Sequence, residues 1–255
     1  MKGWDRLASR VAIVTGASSG IGASIAERFG REHMRVALAA RRGDLLEHVA
    51  AQVRAAGGEA LVIPTDVRDP AAITHLAAVT KDTWGRIDVL VANAGVGASG
   101  RLVQISEDAI REVVEVNLLG VILGARSVLP MMLEQGEGHI IAIASVAGRV
   151  PGRGGVYGAT KAGVLAFCEG LRRGVAEAGI SVSAVLPGWI NTPMVQQIRP
   201  RWGAPPGIVA EAVVRLLRRP RREVVVPWWY RGMIGMNRSF PGVMDLLAAR
   251  YGRGR

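Results

Sequence analysis

The chain has few of the residues that cross-link proteins or bind metals. Its one cysteine, Cys168, rules out any disulfide within the chain. Four scattered histidines, His33, His48, His75 and His139, offer no metal-ligand spacing with it. No apolar run approaches the ~20 residues of a membrane span. Residues 1–10 are polar and lead straight into a strand-like run, so no signal peptide is expected. Lysine is scarce as well: only Lys2, Lys81 and Lys161 occur, beside 29 arginines. Together these absences exclude a disulfide scaffold and a Cys/His zinc module, and the expectation is a soluble, cytoplasmic protein.

What remains is a chain of 255 residues, 49% hydrophobic, long enough for one large core and too apolar to be disordered. Its net charge of +11 is uneven. From Arg199 onward twelve arginines face only Glu211, Glu223 and Asp245. No recognised nucleic-acid motif accompanies them, so this reads as a solvated basic surface rather than a nucleic-acid site.

Short β-type runs alternate with helical stretches throughout. Strands are predicted at 11–15, 35–40, 60–64, 88–92, 140–144, 181–186 and 223–226. Helices are predicted at about 21–31, 43–56, 70–84, 106–115, 118–134, 156–178 and 206–218. Near-continuous apolar strands separated by helices imply a parallel sheet covered on both faces. The predicted fold is α/β: a Rossmann-like, doubly wound parallel sheet of about seven strands, in one domain over residues 1–255.

Two features carry chemistry. Thr15-Gly16-Ala17-Ser18-Ser19-Gly20-Ile21-Gly22 lies between the first strand and the first helix. There glycines let the backbone approach a pyrophosphate, and the helix N-terminus supplies free N–H groups. The other is Tyr157, four residues before Lys161, with Ser145 twelve residues upstream of the tyrosine. On a helix the tyrosine and lysine share a face. A nearby positive charge favours the phenolate, and a serine hydroxyl beside it can hold a carbonyl oxygen. This spacing suits proton transfer in alcohol and ketone chemistry.

Taken in order, these residues resemble the short-chain dehydrogenase/reductase family over about residues 10–195. The matching positions are Thr15–Gly22, Asp66-Val67, Asn93-Ala94-Gly95, Asn117, Ser145, Tyr157 with Lys161, Pro187-Gly188 and Thr192. The longer, extended branch of the family fits poorly because no second domain is present. The resemblance implies that Tyr157 is the acid/base, with Lys161 lowering its pKa and holding the nicotinamide ribose. It also implies that Ser145 positions the substrate oxygen and Asn117 sustains a water relay to Lys161. Gly16, Ser18, Ser19, Gly20, Ile21 and Gly22 would line the pyrophosphate. Asp66 and Val67 would border the adenine, Asn93, Ala94 and Gly95 the central crevice, and Pro187, Gly188 and Thr192 would close over the nicotinamide.

The second strand ends without a carboxylate to bind ribose hydroxyls, and Arg41-Arg42 follow it. A guanidinium suits a 2′-phosphate, so NADP(H) is expected over NAD(H). A lid at about 189–206, with Trp189, Met194, Ile198 and Trp202, points to an apolar carbonyl or alcohol substrate. The basic, aromatic tail at about 227–255, with Trp228, Trp229 and Tyr230, reads as an oligomer contact or lid in preference to a membrane-surface contact. A homodimer or homotetramer is expected. The competing readings are a nonenzymatic dinucleotide-binding regulator and a membrane-surface reductase of lipid-soluble carbonyls.

Overall fold

Consecutive residues of a strand point to opposite sides, so a strand apolar at every position needs cover on both faces. Strand β1 (Val11–Thr15), apolar up to its last residue, shows this: Ala12 and Val14 enter one core, and Ile13 enters the other. The first core is closed by α1 (Gly20–Arg31), α2 (Gly43–Ala55) and α8 (Gly207–Arg218), through residues such as Phe29, Leu46 and Val213. The second is closed by α3 (Pro70–Trp84), α5 (Gly120–Gln135) and α6 (Val156–Gly174), through Ile73, Val128 and Val164. The computed structural model describes residues 3–98, 100–152, 155–196 and 203–251.

The remaining strands are β2 (Arg35–Ala40), β3 (Glu59–Pro64), β4 (Val89–Ala92), β5 (Gly138–Ile143), β6 (Ile180–Pro187) and β7 (Glu223–Val226). All seven pair in parallel, in the order β3-β2-β1-β4-β5-β6-β7. Strands β1, β4, β5 and β6 are buried along their whole length, whereas the edge strands β3 and β7 are only partly covered. The chain winds outward from β1 in one direction, then returns to β4 on its other side. This reversal opens a crevice at the carboxyl ends of β1 and β4, where open α/β sheets bind ligands.

Local signals explain most element ends. Asp69 caps α3 by accepting the Ala71 N–H at 2.8 Å, Pro70 occupies its first turn, and Gly85 stops it at φ +77°. The helices predicted at 106–115 and 118–134 are instead one continuous helix, Glu107–Gln135. It consists of α4 (Glu107–Val114), a π-helical turn over Glu115–Leu119, and α5. It is long and apolar enough, by length and composition alone, to cross a bilayer. Here Val113, Val116, Val121, Ala125, Val128 and Met132 are buried in the protein. Beyond the predicted elements lie a short helix α7 (Pro193–Gln196) and two C-terminal helices, α9 (Tyr230–Ser239) and α10 (Pro241–Tyr251).

Candidate active site

At the crevice, Thr15 and Asn93 lock β1 to β4. The Thr15 hydroxyl oxygen accepts the N–H groups of Asn93 (3.0 Å) and Ala94 (3.1 Å). In return, the Asn93 amide donates to the carbonyls of Thr15 (2.9 Å) and Gly16 (3.2 Å). The glycine loop passes over this lock with no spare room. Gly16 has φ +65°, and a β-carbon on it would lie 2.8 Å from the Ala94 Cα. A β-carbon on Gly22 would come within 2.3 Å of the Gly16 carbonyl oxygen. Only glycine permits this path, which leads into the N-terminus of α1 at Gly20, whose first turn has no acidic residue.

An open cleft of about 450 Å³ lies above. It brings together Gly16, Ser18, Ser19, Gly20, Ile21, Arg41, Arg42, Asp66, Val67, Asn93, Ala94, Gly95, Ser145, Tyr157, Lys161, Pro187, Gly188 and Thr192. Gly22 and Asn117 stand behind its wall and shape it from there. Of the lid residues, Met194 lines the cleft and Trp189 is half-exposed beside it. Ile198 and Trp202 fall outside the described residues. Ile190 and Val195, within the predicted lid, also line the cleft, whereas sequence reasoning missed Ala40, Val96, Val116, Ile143 and Ala144, because no local pattern distinguishes them from core side chains.

Ser145 follows β5, and its oxygen accepts the Ala147 N–H at 3.0 Å. Its hydroxyl also hydrogen-bonds Tyr157, which pulls the tyrosine pKa down against a larger upward push from burial. The phenol is therefore protonated at neutral pH. Lys161 is fully buried one turn along α6, and burial lowers its ammonium to about 8. Its Nζ donates to the Ile143 carbonyl at 2.9 Å and lies 5.7 Å from the centre of the Tyr157 ring. The expected depression of the Tyr157 pKa by Lys161 is thus not what this geometry gives. Desolvation dominates the phenol, and the serine, not the lysine, opposes it.

Asn117 sits in the π-helical turn and is fully buried. Its Oδ1 accepts the Val96 N–H (2.8 Å), while its Nδ2 donates to the Val96 carbonyl (2.9 Å) and the Thr160 hydroxyl (3.3 Å). It therefore ties the loop after β4 to α6. A β-carbon on Gly95 would lie 3.3 Å from the Asn117 Oδ1 and 3.6 Å from the Lys161 Nζ. Gly95 keeps open the space on which the two side chains converge. Asp66 lines the cleft but is held by Arg68, which donates its backbone N–H and guanidinium to the carboxylate at 2.6–3.0 Å. These bonds hold the carboxyl below its ordinary range.

The end of the cleft beside β2 is cationic. Arg42 Nη2 donates to the Ser18 hydroxyl at 3.2 Å, bridging the end of β2 to the glycine loop. Arg41 is exposed and lies 3.9 Å from Glu112, its one ion pair among the described residues. The glycine cradle, the acid-free helix terminus and this arginine pair fit a dinucleotide diphosphate.

Comparison with known proteins points the same way. A short chain dehydrogenase family model matches residues 10–202. An uncharacterized oxidoreductase of Staphylococcus aureus strain N315 is 35% identical over 218 residues, covering 84% of this chain and 94% of that protein. A short chain dehydrogenase/reductase from Burkholderia phymatum, solved in complex with NAD, superposes with a TM-score of 0.87 at 26% identity, covering 94% of this chain and 96% of the other. An actinorhodin polyketide ketoreductase solved with NADPH gives 0.81 at 35% identity, covering 86% and 95%.

Proposed function

Because this chain belongs to the short-chain dehydrogenase/reductase family, it is an NAD(P)-dependent oxidoreductase, and we propose that it uses NADP(H) to interconvert an apolar ketone or aldehyde with its alcohol. The observation that carries the reading is one cleft lined by Ser145, Tyr157 and Lys161 at one end and by Arg41, Arg42 and the glycine loop at the other.

The nicotinamide, when bound, supplies or accepts the hydride. The chain's own residues do the rest. Tyr157, held protonated by burial, donates its proton to the oxygen of the substrate carbonyl. The Ser145 hydroxyl fixes that oxygen beside it, which sets the line of approach. Lys161 supplies a positive charge one helical turn from the tyrosine, where negative charge develops as the proton leaves. Asn117 holds the Val96 segment against α6, so that the cleft wall and the two reactive side chains keep their spacing. Arg41 and Arg42 discriminate for a 2′-phosphate by charge and by planar hydrogen-bonding geometry. Val96, Ile190, Met194 and Val195, lining the cleft with Tyr157, favour an apolar substrate.

The test is NADPH oxidation against a panel of ketones and aldehydes, run with Tyr157→Phe alongside. We expect turnover to fall about 10²–10⁴-fold in the variant. Cofactor binding, measured separately by calorimetry, is expected to stay within about fivefold, since a hydroxyl making no charge-assisted bond contributes about 1 kcal/mol or less. Undiminished turnover in the variant would overturn the assignment of the proton donor.

A further inference from the structure

Thr160 stands on α6 between Tyr157 and Lys161, yet it is buried behind the cleft wall, as Asn117 is. Its hydroxyl has one hydrogen, which it donates to the Tyr157 carbonyl at 2.8 Å. The oxygen is left to accept, and it takes a hydrogen from the Asn117 Nδ2 at 3.3 Å. A threonine bonding a carbonyl of its own helix is ordinary. The bond it accepts from another element is not. That bond closes a chain of contacts from the Tyr157 backbone through Thr160 and Asn117 to both backbone groups of Val96. Val96 and Tyr157 line the cleft together, so the chain joins, from behind, two residues that face the substrate space.

We propose that Thr160 is a positioning residue, whose hydroxyl fixes the first turn of α6, and with it the Tyr157 phenol, against the Val96 segment; this role rests on the reductase reading above. Of the two Asn117 Nδ2 hydrogens, one meets the Val96 carbonyl and the other meets Thr160. Without the hydroxyl the second would be buried with no partner, a cost that drives the amide to turn or shift. The backbone around Asn117 has little room to follow. A β-carbon on Gly163 of α6 would lie 3.2 Å from the Leu118 side chain, and one on Gly120 would lie 2.9 Å from Val67. The π-helical turn is thus gripped on both sides, and the freedom gained falls to the Asn117 side chain and the Val96 segment it holds. Lys161 meanwhile ties the same turn of α6 to β5 through the Ile143 carbonyl. Threonine and lysine therefore hold the tyrosine from two neighbouring elements. A misplacement of about 1 Å is enough to cost about 10²-fold in rate.

Thr160→Val, close to isosteric, removes the hydroxyl, and Thr160→Ser keeps it. In steady-state carbonyl reduction with NADPH, Thr160→Val is expected to lower kcat about tenfold or more and leave the cofactor KM within about twofold. Thr160→Ser is expected to repair most of that loss. A second readout needs no substrate. The Val96 amide, which donates to Asn117, should exchange its hydrogen about fivefold faster in Thr160→Val, measured by NMR, and at the parental rate in Thr160→Ser. Unchanged kcat or unchanged exchange in Thr160→Val overturns the proposal. So does a loss that Thr160→Ser fails to repair, or a cofactor KM that rises as far as kcat falls. Thr160→Ala repeats the test where valine is not accommodated. If neither variant folds while Thr160→Ser does, the hydroxyl serves the fold and the proposal fails. A parent without turnover would defeat the reductase reading instead, and the exchange rates would still decide whether the hydroxyl holds the Val96 segment.

Discussion

Lys161 is only 3% exposed, an uncommon place for an ammonium, and its Nζ is spent on the Ile143 carbonyl. A flexible, compact cation fits there, whereas a planar guanidinium would need more room and more partners. This explains why a chain that uses arginine almost everywhere keeps lysine at this position, and why composition alone makes the residue stand out. Ser145 and Tyr157 are legible by their spacing from Lys161, and the fold brings all three to one cleft. Asn117 is legible as a position but not as a contact, because its partner Val96 is joined through backbone atoms that no side-chain pattern announces. Asp66 is likewise visible, while its capture by Arg68 depends on a turn geometry that sequence does not fix. At this scale Arg41 gives the sharpest prediction. Arg41→Ala removes an exposed guanidinium whose nearest acid is 3.9 Å away, so little folding stability is lost. The KM for NADPH should rise about tenfold or more, as expected when a charged hydrogen bond worth about 1.5–3 kcal/mol is removed. The KM for NADH should stay within about twofold, and steady-state kinetics with both cofactors reads the difference. Equal losses with the two cofactors would sink the 2′-phosphate assignment.

Helix α9 does at the scale of elements what no residue in the motifs does: it braces two loops of the cleft at once. Tyr230 packs on Gly188, where a β-carbon would come within 2.2 Å of its ring, and its hydroxyl accepts the Trp189 N–H at 3.3 Å. One turn further on, Met233 and Ile234 join the core beneath, and the Asn237 amide donates to the Arg149 carbonyl at 3.0 Å. Arg149 lies just past Ser145 in the loop after β5, and Gly188 just past β6. The sequence does not announce this helix because its inner stripe is short and interrupted by Gly232 and Gly235, which weaken any helical periodicity. The strands, by contrast, are readable nearly to the residue, since burial on both faces leaves an apolar run with sharp ends. A pair of substitutions tests the brace. Gly188→Ala should raise the cofactor KM about tenfold, because the new methyl must displace the Tyr230 ring from the loop. Tyr230→Ala alone should cost about 2 kcal/mol in unfolding free energy through lost packing. The double variant should recover much of the cofactor affinity lost in Gly188→Ala, giving a coupling of about 1 kcal/mol or more. Additive losses would mean that ring and glycine act independently.

For the whole molecule, chemistry and stability are kept at opposite ends of the sheet. The carboxyl ends of β1 and β4 carry the cleft. The amino ends carry a charged cluster in which Arg10 and Arg86 bridge Asp88 and Glu137, with the Trp4 indole N–H donating to Glu137. Beside it His139 is fully buried at the start of β5. Its Nε2 lies 2.8 Å from the Ser183 hydroxyl, which itself donates to the Arg221 carbonyl at 2.6 Å. That hydroxyl has one proton, so the histidine must be the donor to it and carries its hydrogen on Nε2. Burial lowers the imidazole from 6.5 to about 3. In the unfolded chain it takes up a proton at its ordinary pKa, so between these values the unfolded state binds more protons and stability falls as the pH falls. Glu137 acts with the same sign in a lower window. Desolvation raises its pKa, but hydrogen bonds from Arg10, Trp4 and Arg86 outweigh this and hold it at about 2, below the usual 4.5. Its contribution is therefore complete above 4.5 and lost on acidification below it. The two windows predict an order of events. Thermal midpoints should start to fall as the pH drops through 6.5, ahead of the Glu137 window, and fall further below 4.5. His139→Asn should melt lower than the parent at neutral pH, having lost packing and a hydrogen bond, yet show a flatter decline between 6.5 and 4.5. The variant's decline should stay the shallower of the two until about pH 3, below which the histidine is protonated in the folded and unfolded parent alike and the curves run parallel. Calorimetric or fluorescence melts across this range decide the matter, and an undiminished slope in the variant above 4.5 would remove His139 as the first acid sensor of the fold.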